Sequence, residues 1–261
     1  MKDVVGALAK LKNEMVTNKP IERTTSNVWN AYLTKVANEW FDGNEDEVRW
    51  YVGPWLFVEC YMYHRMNEAF RTTKYLKTYD PFRQQKEEAL YEAVEPAVVL
   101  GDFLESAKLD PDTLQALLEV TLWGNRCDLS ISQGEKNTQT GDIVQQLSSL
   151  RVKILANDSE QVWKAIQGAK VNGNNNNRRF IGYVLDNSGF ELLTDLIFAD
   201  ALIQSEMADR VDFYVKAQPW FISDVLTNDF HWVLNALSEM SDKPVLARLG
   251  NRWKEYVQNQ K

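Results

Sequence analysis

Cysteine and histidine are nearly absent from this chain of 261 residues, which has two of each. Cys60 and Cys127 each lie inside an apolar segment, outside any spaced framework. Neither a disulfide scaffold nor a thiolate metal site is indicated, and a reducing setting, cytosolic or nuclear, is expected. His64 and His231 stand far apart, each beside aromatic residues, so a His/Cys zinc site and a Ser/His/Asp triad lack material. Both are read as packing or surface residues. Basic clusters are lacking too. With 29 Lys and Arg against 37 Asp and Glu, the formal charge is -8. This argues against nucleic-acid partners, because phosphate neutralisation needs clustered cations. Crossing a bilayer takes about 20 apolar residues. The most apolar stretch, YVGPWLFVECYMY, is shorter and is broken by Pro54 and Glu59, so no membrane partner is expected. The opening MKDVVGALAKLKNEM carries charges throughout and reads as a helix, not a signal peptide. Neither GxGxxG nor a GxxxxGK loop follows an apolar run, which argues against dinucleotide and P-loop sites.

What is present is an ordinary globular composition, 44% hydrophobic and 25% charged, long enough for one large or two small domains. Up to about residue 170, apolar positions recur at helical spacing over 4 to 16, 28 to 41, 54 to 70, 86 to 107, 112 to 123 and 158 to 168. PWLFVECYMYHRM is apolar nearly all round apart from Glu59 and Arg65. It predicts a central buried helix with Pro54 at its first position. ISQGEKNTQTGD (131 to 142) and VNGNNNNRR (171 to 179) read as loops. Beyond the second loop come FIGYVLD as a strand, a helix from Gly189 to Asp209, VDFYVKA as a strand, PWFISD, and a helix from Asp229 to Met240. Strand, helix, strand, helix with short connections predicts a parallel α/β layer of Rossmann-like architecture, its strands buried on both faces. The division expected is a helical region, 1 to 170, and an α/β region, 171 to 261.

In open α/β sheets the functional crevice lies outside the carboxyl ends of the strands. Asp186 and Asn187 end the first strand, and Asp224 ends the stretch after the second. If the strands are neighbours, three oxygen-bearing side chains meet in one crevice, in outline a site for a hard divalent cation. The simpler reading is that Asp186 or Asn187 caps the following helix, and the two roles can coexist. Glu191 and Asp195 lie four apart on one helix face, a mildly unfavourable pairing without a cation nearby. Glu191 also suits the first-turn dipole. Glu191 is read as functional and Asp195 as structural. In LWGNRCDLSIS, Gly124 and Asn125 would suit a helix end and Asp128 the next cap, so a structural role there is at least as well supported as a ligand role.

Four blocks in order, PWLFVECYMYHRM (54 to 66), LWGNRCDLSIS (122 to 132), VLDNSGFELLTDLIFADALI (184 to 203) and PWFISDVLTNDFHW (219 to 232), resemble the metal-dependent damage-control phosphatases, formerly domain of unknown function 89. The similarity is greatest to the branch called acidic residue methyltransferase or sugar phosphate phosphatase, and it covers most of the chain. It implies a helical N-terminal part packed on an αβα sandwich. By the same resemblance Asp186, Asn187 and Asp224 hold a divalent metal (Mn²⁺, Co²⁺, Ni²⁺ or Mg²⁺), Glu191 shares the pocket, and Asn125 and Asp128 line it. It implies hydrolysis of small phosphorylated metabolites, with fructose 1-phosphate and fructose 6-phosphate as the substrate class. Alternatives are S-adenosylmethionine-dependent methylation of protein glutamate, disfavoured without a glycine-rich cofactor loop, and a non-catalytic metal-binding or interaction protein. Members begin earlier and continue beyond NRWKEYVQNQK with a further strand and basic residues that grip phosphate. Arg178 and Arg179 precede the first strand and are expected to be solvated. An uncovered sheet edge would be an association site, and the oligomeric state is left open.

Overall fold

A computed structural model describes residues 2–106, 108–131, 151–171 and 178–260, the side chains of 125–131 and 169–171 excepted. The elements in chain order are α1 (Lys2–Val16), α2 (Asn27–Trp40), α3 (Trp55–Arg71), α4 (Arg83–Glu92), α5 (Val94–Ser106), α6 (Pro111–Ile131), α7 (Ser159–Val171), β1 (Phe180–Val184), α8 (Phe190–Gln204), β2 (Arg210–Tyr214), α9 (Thr227–Ser238) and α10 (Pro244–Gln258). The fold is mixed α/β, with a parallel pair of strands among many helices. No described helix is long and apolar enough to cross a membrane. The predicted loop at 131 to 142, and most of that at 171 to 179, lie outside the described residues.

The chain forms two compact units. One comprises Met1–Pro81 with Gln218–Phe221, the other Phe82–Ala217 with Ile222–Lys261. In the first, α1 packs on α3. Leu11, Ile21, Leu33, Val36, Val48, Trp50 and Tyr61 form its core. The helix of PWLFVECYMYHRM is not buried all round as the sequence predicts. Trp55 and Leu56 are 72% and 58% exposed, and only Tyr61, Tyr63, Asn67, Ala69 and Phe70 are buried. Pro54 caps this helix from outside, with ψ at 126°. His64 stacks on Trp29 with ring centroids 5.0 Å apart, a packing role.

In the second unit the helix buried on every side is α8, where twelve of the thirteen residues from Phe190 to Leu202, all but Glu191, are buried. It is covered by α5 and α6, while α9 and α10 pack on each other. Each fully buried aliphatic side chain of this core, Leu192, Ile197, Leu234 and Leu249 among them, contributes about 1.5–3 kcal/mol. The helix predicted over 86 to 107 is two helices that meet at Ala93. Pro96 has no N–H to return to the carbonyl of Glu92, so the helix restarts there. The sequence reading missed α10. Its signals are Pro244 in the first turn and the buried stripe Val245, Leu246, Leu249, Trp253.

β1 and β2 pair in parallel, Phe180 opposite Arg210 through Val184 opposite Tyr214. They are not buried on both faces, since Phe180 and Val184 are more than half exposed and burial alternates along β1. Arg179 is not solvated. Its backbone N–H (2.7 Å) and Nε (3.1 Å) donate to Asp209 Oδ2, and a guanidinium nitrogen donates to the Glu206 carbonyl. This clamps the amino ends of the strands, opposite the crevice. Arg178 is exposed, as predicted.

Candidate functional site at the carboxyl ends of the strands

Beyond β1 and β2 the ladder continues through a short third segment. Leu185 N–H donates to the Tyr214 carbonyl (3.0 Å), Lys216 N–H to the Val225 carbonyl (2.9 Å), Val225 N–H to the Asp186 carbonyl (2.8 Å), and Ser188 N–H to the Ser223 carbonyl (2.7 Å). Residues 223 to 226 are thus laid between the extended ends of both strands, with Asn187 bridged to Asp224. Ile222, just before this segment, has φ of 70°, a conformation that costs a β-branched residue about 1–3 kcal/mol.

The ladder brings Asp186, Asn187, Glu191 and Asp224 together. Lys216 Nζ donates to Asp224 Oδ2 (2.6 Å) and Asp186 Oδ1 (3.1 Å). Asn187 Nδ2 donates to Asp186 Oδ2 and Glu191 Oε2, both at 3.1 Å, and Ser223 Oγ donates to Asn187 Oδ1 at 2.5 Å. Glu191 Oε1 also accepts from the Asn187 backbone N–H at 3.3 Å. The capping reading of Asp186 and Asn187 is overturned, because the residue preceding α8 is Gly189 and no side chain caps the helix there. Gly189 has φ of 74°, which a side chain would resist at this strand-to-helix turn. Asp186 and Asn187 are therefore directed to Lys216, Glu191 and Ser223.

The electrostatics follow from burial. Asp224 is 3% exposed, and burial pushes its carboxyl above the usual range against the opposing pull of Lys216. Burial disfavours the Lys216 ammonium, but its hydrogen bonds to Asp224 and Asp186 outweigh this and hold its pKa above the ordinary lysine value. A single cationic nitrogen thus occupies the point on which both carboxylates converge. Behind it Tyr183 Oη donates to Asp195 Oδ1 at 2.8 Å. Burial, with the charges of Glu191 and Asp186 adding to it, pushes Asp195 up to about 7 despite that bond. Asp195 is buried against the strand and has the structural surroundings the sequence suggested.

Sequence reasoning missed Lys216 and Ser223. The signal for Lys216 was available, since it lies two residues past β2 at the same sheet end that singled out Asp186. Gly124 and Asn125 do not end a helix, because α6 runs on to Ile131. Gly124 serves close packing instead: a Cβ there would lie 2.9 Å from Glu191 Cα and 3.1 Å from Thr194 Oγ1. The side chains of Asn125 and Asp128 lie outside the described residues. His231 is exposed and its ring meets that of Phe230.

Two carboxylates and an amide form an oxygen-rich set suited to a hard divalent cation, with positions left for water or substrate. Among the described residues no group of three or more His, Cys, Asp and Glu is arranged to hold a metal, so the amide and Lys216 distinguish this site from an all-carboxylate cluster.

The family model for the damage-control phosphatase ARMT1-like domain matches residues 1–261. Damage-control phosphatase ARMT1 of Macaca fascicularis is 37% identical over 270 residues, covering 98% of this chain and 61% of that protein. The Homo sapiens protein of the same name is 36% identical with the same coverage. That of Danio rerio is 34% identical over 273 residues, covering 98% of this chain and 60% of its own length. The chain therefore spans about three fifths of the length of these relatives. With the whole chain matched and a third or more of its residues shared, it belongs to the damage-control phosphatase ARMT1-like domain family.

Proposed function

We propose that this chain carries the metal-binding half-site of a phosphomonoester hydrolase acting on small phosphorylated metabolites, with fructose 1-phosphate and fructose 6-phosphate as the substrate class. The observation that carries the reading is the convergence of Asp186 and Asp224 on one cationic point, with Asn187 hydrogen-bonded to Asp186. Asp186, Asn187 and Asp224 would hold Mn²⁺, Co²⁺, Ni²⁺ or Mg²⁺. When bound, such an ion supplies polarisation of phosphoryl oxygen and activation of water. The chain's own residues do the rest. Lys216, hydrogen-bonded to both Asp224 and Asp186, would supply a positive charge beside the bound ion, which stabilises charge on phosphoryl oxygens as water adds to phosphorus and the ester oxygen leaves. Glu191 accepts from both the backbone N–H and the side-chain Nδ2 of Asn187, and Ser223 donates to its Oδ1, so the donor set is oriented before substrate arrives. Asn125 and Asp128 are assigned to the substrate side of the pocket by family resemblance. The turn after β1 holds a single glycine, Gly189, which gives the S-adenosylmethionine reading no specific support.

The test is hydrolysis of a sugar phosphate panel by the purified chain with each of the four metals, beside Asp186→Ala. Metal-dependent turnover lost in the variant is expected. Equal turnover by both proteins would overturn the metal assignment, and metal binding by the wild type without turnover would favour a non-catalytic role.

A further inference from the structure

Lysine is rarely taken fully out of water, yet Lys86 on α4 is 3% exposed. Its Nζ donates to Asp229 Oδ2 at 2.6 Å, joining residues 143 positions apart. As a fastening between α4 and α9 this pair is a poor device, because the cost of dehydrating two charges offsets much of their attraction. The place is also unfavourable for a cation, since Asp229 is the third residue of α9, where the helix dipole favours negative charge. An apolar side chain would hold the two helices together at lower cost. The charge therefore calls for a reason beyond packing, and the surroundings of Asp229 supply one.

Asp229 Oδ2 also accepts from the Leu226 backbone N–H at 2.9 Å. Leu226 closes the 223 to 226 segment, whose other bonds run to the strand ends, Val225 N–H to the Asp186 carbonyl (2.8 Å) and Ser188 N–H to the Ser223 carbonyl (2.7 Å). That segment presents Asp224. It is entered through Ile222 with φ of 70°, a conformation that persists only where the surroundings fix the chain on both sides. Lys86 supplies the fixing at the far side by holding Asp229 charged and in place. With an apolar side chain at position 86, the buried Asp229 carboxylate would lose its bond from the ammonium and turn to water or take up a proton, and either change weakens its hold on Leu226. Lys86 also attracts the Asp224 carboxylate through space, beside the direct bond from Lys216.

We propose that Lys86 is a positioning residue of the strand-end site, holding Asp224 in its metal-binding place through Asp229 and the Leu226 backbone. The inference rests on the assignment of Asp224 as a metal ligand. The test compares the full-length wild-type chain with Lys86→Met in two measurements, amide hydrogen exchange in EDTA read by mass spectrometry and calorimetric titration with Mn²⁺. Exchange over residues 216 to 226 should be at least about tenfold faster in the variant while residues 245 to 257 of α10 exchange as in wild type, and Mn²⁺ should bind about tenfold more weakly, as when a group that orients a metal ligand from behind is removed. Arg252→Met is the control, since it breaks the pair with Asp200 in the same unit, nine residues on from Glu191 along α8 or about 13 Å by helical rise, and should leave Mn²⁺ affinity unchanged. Should Lys86→Met not fold in thermal melts, Lys86→Gln, which can still donate to Asp229, takes its place, with a smaller change of the same sign. Wild-type exchange over 216 to 226 or wild-type Mn²⁺ affinity in a folded Lys86 variant would overturn the proposal, as would an equal loss of affinity in Arg252→Met. A wild type that binds no Mn²⁺ would refute the metal reading instead, while the exchange in EDTA would still decide whether Lys86 holds the segment.

Discussion

Lys216→Met tests the electrostatics of the strand-end site most directly, since it keeps side-chain length and removes the charge. Asp186 is 64% exposed and loses a 3.1 Å contact, worth less than about 1 kcal/mol. Asp224 is different, its side chain 4% exposed and its bond from Lys216 2.6 Å long. Removing one partner of a buried pair costs about 3–5 kcal/mol. Lys216 is itself 34% exposed, so water screens the pair and the expected loss falls to about 2 kcal/mol. For a folded unit of this size each kcal/mol moves Tm by about 2–4 °C, so the variant should melt about 4–8 °C lower near pH 7.5 in EDTA. The sign with pH is fixed. Burial raises the folded pKa of Asp224, so its contribution is favourable when protonated and is lost as pH rises through that value. Without Lys216 the penalty grows at neutral pH and shrinks as pH falls. Excess divalent metal should restore much of the loss by replacing the missing cation. Circular-dichroism melts with and without metal read both effects. A variant as stable as wild type in EDTA at neutral pH would refute the reasoning.

Asp195→Asn should flatten the pH dependence of stability. With Asp195 pushed up to about 7, its favourable contribution is complete below the unfolded value of about 4 and lost as pH rises through about 7, so wild type should lose more stability between about pH 5 and 8. Identical slopes in melts would count against this. Gly124→Ala gains about 1 kcal/mol of helix propensity but drives a Cβ to 2.9 Å from Glu191 Cα, an overpacking cost of about 1–3 kcal/mol. A net loss in urea denaturation is expected, and a stabilised variant would disprove the helix contact. Arg252→Met leaves Asp200, with a side chain 0% exposed, without its guanidinium partner and should cost about 3 kcal/mol by the same assay. A change below about 0.5 kcal/mol would mean that the pair is inconsequential.

Local rules single out Asp186, Asn187, Glu191 and Asp224, which the structure brings together, because strand ends and turn residues leave a signature within a few positions. FIGYVLDNSG reads as an apolar strand running into polar residues and a glycine turn. The parallel pairing of Phe180–Val184 with Arg210–Tyr214 followed from strand and helix alternation. Burial did not follow. PWLFVECYMYHRM and FELLTDLIFADALI are both apolar nearly all round, and only the packing of α5 and α6 on α8 singles out the second as the central helix. Gly124 likewise looks like a helix end by composition. It is instead the point where two helices approach too closely for a Cβ, which depends on residues almost seventy positions away.

The sequence by itself determined that this is an α/β protein with polar groups at its strand ends, since periodicity and turn chemistry are written over a few neighbouring residues. Tertiary structure alone decided that Lys216 links Asp186 and Asp224, that Asn187 is directed to Glu191 rather than to a cap, and that Asp195 is buried against Tyr183. The Tyr183–Asp195 and Lys216–Asp186 contacts join residues 12 and 30 positions apart, and the approach of Asp224 to Lys216 needs the 223 to 226 segment hydrogen-bonded across the ends of β1 and β2.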